Sequence, residues 1–299
     1  MNDTCLIGLG AMGMGMARNI LKAGIALRGF DLSEAARARL TAAGGTAFDS
    51  AAEAATGCDL LLVMVVNAAQ ARAALFDSGV VQALTPGATV MLCSTVAPDE
   101  ARALAADLGA AGHIMLDAPV SGGQVGAEAG TLTLMTSGAD AAYARADAVL
   151  EAIAGKVHRL GDAPGLGATY KVVHQLAAGV HLVAAAEVIA LGARAGCDPE
   201  KLFEIVSTSA GRSWMFEDRV PRMLAGDTAP TSTVDIFVKD LGLVLQTGRD
   251  CATPLPLSAA AHQMMIAASG MGFGGLDDSC VIRAYEALTG YGTKSPKGE

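Results

Sequence analysis

Lys171 stands in the stretch GLGATYKVVHQ (165–175), with His174 three residues on and Gln175 four. Residues three and four apart share one face of a helix, so these polar groups converge. Val172, Val173 and the Ala-rich run from 176 leave the surroundings apolar. Burial disfavours a charged ammonium, and a lysine so placed can serve as general acid and base. A second constellation is GLGAMG (8–13), a G-x-G-x-x-G pattern at Gly8, Gly10 and Gly13. It follows the apolar run TCLI and opens a stretch with helical spacing, the context in which this pattern holds a dinucleotide. Gly8 permits the tight turn, Gly10 lets the backbone approach a pyrophosphate, and Gly13 lets the helix pack on the strand. Leu9, Ala11 and Met12 complete the loop, and the helix N-terminus faces the phosphates.

The next apolar run ends at Asp31, 18 residues past Gly13. A carboxylate there accepts hydrogen bonds from ribose hydroxyls and repels a 2′-phosphate, which favours NAD over NADP. No arginine directly follows Asp31; Arg28, within the run, weighs weakly against that preference. A third constellation is DAPVSGG (117–123), where Ser121 offers a hydroxyl. The backbone of Gly122 and Gly123 can expose amides to a carboxylate. No metal site is expected: His174 and His181 lie seven residues apart, two helical turns, with no third ligand converging on them.

Elements that would position these groups follow from the apolar pattern. Short apolar runs (TCLIGLG, IALRGFD, CDLLLVMVV, GATVMLCST, HIMLDAPVSGG, GTLTLMTSG, KVHRLG) alternate with helical segments through the first half. This alternation predicts an α/β unit with a mostly parallel sheet. From Pro164 onward only helical patterns remain, beginning with the long segment from Thr169 to Gly196. Asp198 and Pro199 supply an N-cap and a first-turn proline for the next helix. The expected organisation is a dinucleotide-binding domain over 1–162 and an all-α domain over 163–299, joined by a long helix. The tail YGTKSPKGE is expected to fray.

Composition excludes other classes. The 299 residues carry a formal net charge of -9 with no basic run, which argues against nucleic acid as a partner. The stretch 176–191 carries His181 and Glu187 and is too short and Ala-rich for a membrane span. Its expected setting is a helix buried in protein. No secretory n-region opens the chain, and the six cysteines form no C-x-x-C pair, so reduced core thiols in a cytoplasmic protein are expected.

Five ordered stretches, GLGAMGMGMARNIL, STVAP (94–98), DAPVSGG, GLGATYK and FVKDLGL (237–243), resemble the β-hydroxyacid dehydrogenase family. The resemblance implies a Rossmann domain, a long interdomain helix and a helical domain, assembled as dimers or tetramers, with a site in the interdomain cleft. It implies that Lys171 is the catalytic lysine and that Ser121, Gly122 and Gly123 bind a substrate carboxylate. It further implies that Thr95 and Lys239 approach the nicotinamide, and that the loop carrying Val65 and Asn67 runs along the cofactor. Most members carry an Asn-Asn pair where this chain has His174-Gln175. KVVHQLAAGVHLVAAAE, SWMFEDR and VDIFVKDLGLV are most similar to the branch that oxidises L-threonate with NAD. Polar donors at His174, Gln175, Arg212 and Ser213 suit a polyhydroxylated acid, because a buried hydroxyl needs a partner. The alternatives are a 3-hydroxyisobutyrate dehydrogenase, an NADPH-linked semialdehyde or glyoxylate reductase, and a catalytically silent dinucleotide sensor.

Overall fold

The computed structural model describes residues 4–290 and 292; the rest of the tail expected to fray lies outside them. The chain divides into two compact units, Met1–Val172 and Val173–Glu299.

Strand β1 (Thr4–Ile7) is buried along its whole length. A parallel strand buried on both faces needs helices on both sides of its sheet. The chain supplies them in turn: α1 (Ala11–Lys22), β2 (Leu27–Phe30), α2 (Glu34–Ala42), β3 (Thr46–Ala47), α3 (Ala51–Ala55), β4 (Leu60–Val63), α4 (Ala68–Arg72), α5 (Val80–Ala83), β5 (Thr89–Leu92), α6 (Pro98–Ala110) and β6 (Ile114–Asp117). The six strands form one parallel sheet in the order β3-β2-β1-β4-β5-β6. Alternate residues point to opposite faces. Leu6, Leu62, Met91 and Leu116 pack with Met16 and Ile20 of α1, whereas Cys5, Leu61, Val63 and Val90 pack with Leu104 and Leu108 of α6.

The sequence reads HIMLDAPVSGG as one strand, but the structure breaks it after Asp117. Pro119 cannot donate to a ladder, and β7 (Val120–Ser121) leaves for a second sheet. That sheet continues, past α7 (Gly123–Ala129), with β8 (Leu132–Thr136), α8 (Asp140–Ile153) and β9 (Ala154–Arg159). Strand β7 runs antiparallel to β8, and β9 parallel to it.

Helix α9 (Leu166–Arg194) begins in the first unit and continues into the second. The expected boundary at 162/163 and the division at 172/173 differ because the first turns of α9 are bonded to groups of the first unit. After it come α10 (Pro199–Ser207), α11 (Trp214–Ala225), α12 (Val234–Asp250), α13 (Pro256–Ala268) and α14 (Ile282–Thr289). Asp198 caps α10, its Oδ1 accepting the Lys201 N–H at 2.8 Å. By length and composition α9 is apolar enough to cross a membrane. A helix apolar on all sides also fits a protein core, and Leu182, Ala186 and Ile189 of α9 pack with Phe216, Val220, Phe237, Leu241 and Met265.

None of the six cysteines is in a disulfide, but the expectation that they are core residues needs correction: Cys197 and Cys251 are exposed. Each sits in the turn that follows a long helix, α9 and α12, where the chain must return to the surface.

The helical unit closes on a buried polar knot. Arg219 donates from Nε to Asp278 Oδ1 at 2.6 Å and from Nη2 to Oδ2 at 3.2 Å, and it also pairs with Asp218. Asp278 is fully buried, and burial pushes its carboxyl up to about 6 against the opposing pull of the guanidinium. Removing one partner strands the other charge in a dry interior. Arg219→Leu is therefore expected to lower the unfolding free energy by about 3–5 kcal/mol in urea denaturation.

Candidate active site

Parallel pairing brings the carboxyl ends of β1, β2, β4, β5 and β6 to one edge of the sheet, and the expected cofactor residues follow those ends, except Lys239, which lies in α12 of the helical unit. Ligands of open α/β sheets bind there, at the point where strand order reverses. Here that point lies between β1 and β4. Gly8 has φ +96, and a Cβ on it would come within 2.2 Å of the Met64 carbonyl oxygen in the loop after β4. A Cβ on Gly13 would come within 1.9 Å of the Gly8 carbonyl oxygen, so α1 can sit on the loop only as glycine. Gly10 differs: a Cβ there meets nothing within 4 Å. Gly10 and Ala11 are exposed at the start of α1, and no side chain caps this helix at Gly10. Open space in front of uncapped helix amides fits a pyrophosphate.

Asp31 is held from two sides. Its Oδ2 accepts the Leu9 N–H at 2.7 Å and its Oδ1 the Ser33 N–H at 2.8 Å, which aligns the carboxylate beside the glycine loop. Carboxylate oxygens retain further acceptor capacity for ribose hydroxyls. Arg28 is committed elsewhere: its guanidinium donates to the carbonyls of Thr56 and Glu53 and lies over the Phe48 ring. Met12, Val65 and Thr95 are partly buried along the same edge. The Val65 N–H donates to Ser94 Oγ at 3.0 Å, tying the β4 and β5 ends together. Asn67 caps α4 through Oδ1, which accepts the Gln70 N–H at 2.8 Å.

Two residues that the sequence does not single out organise the rest of this unit. Asp117, at the end of β6, is 1% exposed. Its Oδ2 accepts the N–H of Gly165 at 2.8 Å and of Ala168 at 2.9 Å. Ser137 Oγ donates to the same oxygen at 3.3 Å and accepts the Gly167 N–H at 3.0 Å. This places a carboxylate at the amide end of α9, and Lys171, 5% exposed, follows within one turn of Ala168. Burial raises the Asp117 pKa, and the helix amides oppose that rise. Asn19 of α1 is the second organiser. Its Nδ2 donates to the carbonyls of Gly15, Ala127 and Glu128 at 2.8–3.1 Å, which ties α1 to α7. Helix α7 begins at Gly123, beside Ser121 and Gly122, the latter at φ +123. The glycine loop and the Ser-Gly-Gly turn thus stand at the starts of two helices that are tied to each other. The sequence signal for both organisers was membership in the quoted motifs; nothing in the spacing named their partners.

In the helical unit the structure brings three expected residues together through a fourth. Gln175 Nε2 donates to Asp240 Oδ2 at 2.6 Å, and Lys239 Nζ lies 2.7 Å from Asp240 Oδ1. His174 Nδ1 is 3.0 Å from Gln175 Oε1. Asp240 is 2% exposed and went unnoticed in the sequence, where a lone Asp within a helix has no telling spacing. Arg212 and Ser213 stand apart from this group. Arg212 is exposed, and Ser213 Oγ accepts the Phe216 N–H at 3.1 Å as the cap of α11.

Two glycines of the loop, Gly10 and Gly13, are expected to fail differently. Gly10→Ala should fold with an unchanged melting temperature and lose NADH binding in a fluorescence titration. Gly13→Ala should itself unfold more easily, by about 1–3 kcal/mol, as overpacking does.

Comparison with known proteins agrees with this geometry. Residues 3–161 match the family described as "NAD binding domain of 6-phosphogluconate dehydrogenase". Residues 165–285 match that described as "NAD-binding of NADP-dependent 3-hydroxyisobutyrate dehydrogenase". The chain is 52% identical over 284 residues to the L-threonate dehydrogenase of Cupriavidus necator, covering 95% of this chain and 96% of that one. It is 49% identical to the L-threonate dehydrogenase of Escherichia coli K12, covering 97% of each. A crystal structure of a 3-hydroxyisobutyrate dehydrogenase from Salmonella typhimurium superposes with a TM-score of 0.90 at 48% identity, covering 95% of this chain and 99% of that one. With an NAD-binding unit at its start and a helical unit after it, the chain belongs to the 3-hydroxyisobutyrate dehydrogenase family and is a hydroxyacid dehydrogenase.

Proposed function

We propose that the protein oxidises L-threonate at C2 to 2-dehydro-L-erythronate (2-oxo-tetronate), with NAD as the acceptor, in the cytoplasm. The observation that carries this reading is near-full-length identity of 49–52% to L-threonate dehydrogenases. The His174-Gln175 pair and its Asp240 partner support it, since they add polar groups suited to a polyhydroxylated acid.

In this reading the backbone at Gly122 and Gly123, with the Ser121 hydroxyl, holds the substrate carboxylate. Lys171, as the amine, takes the C2 hydroxyl proton, and it returns the proton to the carbonyl oxygen in the reverse direction. His174 and Gln175 meet the hydroxyls further along the chain. Arg212 and Ser213 are assigned to the substrate as well, although Ser213 Oγ already caps a helix. The bound nicotinamide ring supplies the acceptor for the hydride that leaves C2. The loop from Gly8 to Gly13, Asp31, Val65 and Asn67 hold the dinucleotide, with Thr95 and Lys239 at its nicotinamide end. Commitment of Arg28 to backbone carbonyls supports NAD over NADP. The same family connection supports a homodimer or homotetramer.

A 3-hydroxyisobutyrate substrate is the second reading, favoured by the likeness to the Salmonella typhimurium enzyme of that name. NAD reduction across L-threonate, erythronate, glycerate and 3-hydroxyisobutyrate separates the two. L-Threonate is expected to show the highest kcat/KM, and a preference for 3-hydroxyisobutyrate overturns the proposal. Lys171→Ala is expected to lower kcat by about 10²–10⁴-fold, the usual contribution of a positioned acid–base group, with NADH still bound.

A further inference from the structure

Two arginines of α2 reach back to the segments that hold Asp31. Arg37 Nη1 donates to the Asp31 carbonyl at 2.8 Å and to the Leu32 carbonyl at 3.3 Å. Arg39 Nη2 donates to the carbonyl of Leu9, whose N–H meets Asp31 Oδ2. The Leu32 contact has a particular effect. A trans peptide unit sets its C=O and N–H on opposite sides of a rigid plane. The plane that carries the Leu32 oxygen also carries the Ser33 N–H, and Asp31 Oδ1 accepts that N–H at 2.8 Å. Holding the oxygen therefore aims the amide at the carboxylate.

An ion pair does not account for the placement of Arg37. Asp49 lies 3.4 Å from its Nη2 but is 94% exposed, and such surface pairs contribute little. Leu32 is 91% exposed, so packing of its side chain does not fix the turn. A segment with few buried contacts keeps its shape through its hydrogen bonds. We propose that Arg37 is a positioning residue for cofactor recognition: it locks the turn 31–33 so that the Asp31 carboxylate meets the 2′-hydroxyl of the adenosine ribose. The proposal rests on the placement of the dinucleotide given above. It adds that recognition at this point is set by α2 as well as by the acid itself.

Binding to the full-length protein tests this without turnover. Isothermal titration compares ADP-ribose with its analogue lacking the adenosine 2′-hydroxyl, so the two ligands differ by one group. The wild type is expected to prefer ADP-ribose about 10–100-fold, the scale of a hydrogen bond to a charged group. Asp31→Ala removes the acceptor and sets the floor for this preference. Arg37→Met keeps the apolar stem of the side chain and removes its donors. Its preference is expected to fall about 3–10-fold below that of the wild type, the scale of one ordinary hydrogen bond. General loosening of the fold weakens both ligands alike and cancels in the ratio.

A full wild-type preference in Arg37→Met overturns the proposal and leaves the placement of Asp31 at the ribose standing. Arg37→Ala, which reaches neither carbonyl, decides the same question should the methionine variant fail to fold. Equal binding of the two ligands by the wild type, or a preference that Asp31→Ala leaves intact, overturns the placement of Asp31 and this proposal with it.

Discussion

A single buried carboxylate joins the sheet to the helix that carries the proposed catalytic lysine. Asp117 ends the last strand of the parallel sheet, and one of its oxygens receives two helix amides and a serine hydroxyl. An anion at a helix N-terminus is stabilised by the aligned peptide dipoles and by amides that have no partner within the helix. Burial works against the charge, and the raised pKa records that conflict. The arrangement persists because each group solves the other's difficulty: the amides would otherwise be orphaned in a dry interior, and the carboxylate would otherwise be unsolvated. Lys171 inherits its place from this contact, since a helix fixed at its first turn leaves little freedom to the next.

The same logic recurs in the helical unit with opposite emphasis. Asp240 has no helix amides to answer it and is instead met by an ammonium and a side-chain amide. Asp278 is met by a guanidinium. Each buried acid is thus partnered by groups that fit the task of its region. At Asp117 the partner is backbone and the effect is to fix a helix. At Asp240 the partners are side chains, and the Gln175 contact ties α12 to α9.

Much of this was legible in the sequence, and the limits have physical causes. The glycine loop is visible because steric demands at Gly8 and Gly13 admit no other side chain. The change from strand–helix alternation to helices alone is visible because the two periodicities differ. Asp117 and Gly165 lie 48 residues apart, and Gln175 and Asp240 lie 65 apart. Periodicity tells which face of an element is buried, never which residue lies opposite. Ser213 is legible in another way: its residue type and its place before α11 are those of a cap, and its hydroxyl accepts the Phe216 N–H. The break after Asp117 was also missed, because Ile114–Asp117 and Val120–Ser121 are equally strand-like and only pairing assigns them to different sheets.

Gly10 carries a consequence for how such a chain changes over generations. Its neighbours in the loop are held by packing, so selection for a folded protein alone preserves them. A side chain at Gly10 would enter empty space, and folding exerts no force against it. Drift would erase this glycine first in a lineage that had abandoned the dinucleotide, well before Gly8 or Gly13. A glycine standing at that position records continued use of the cofactor, and it marks where decay of that use would begin.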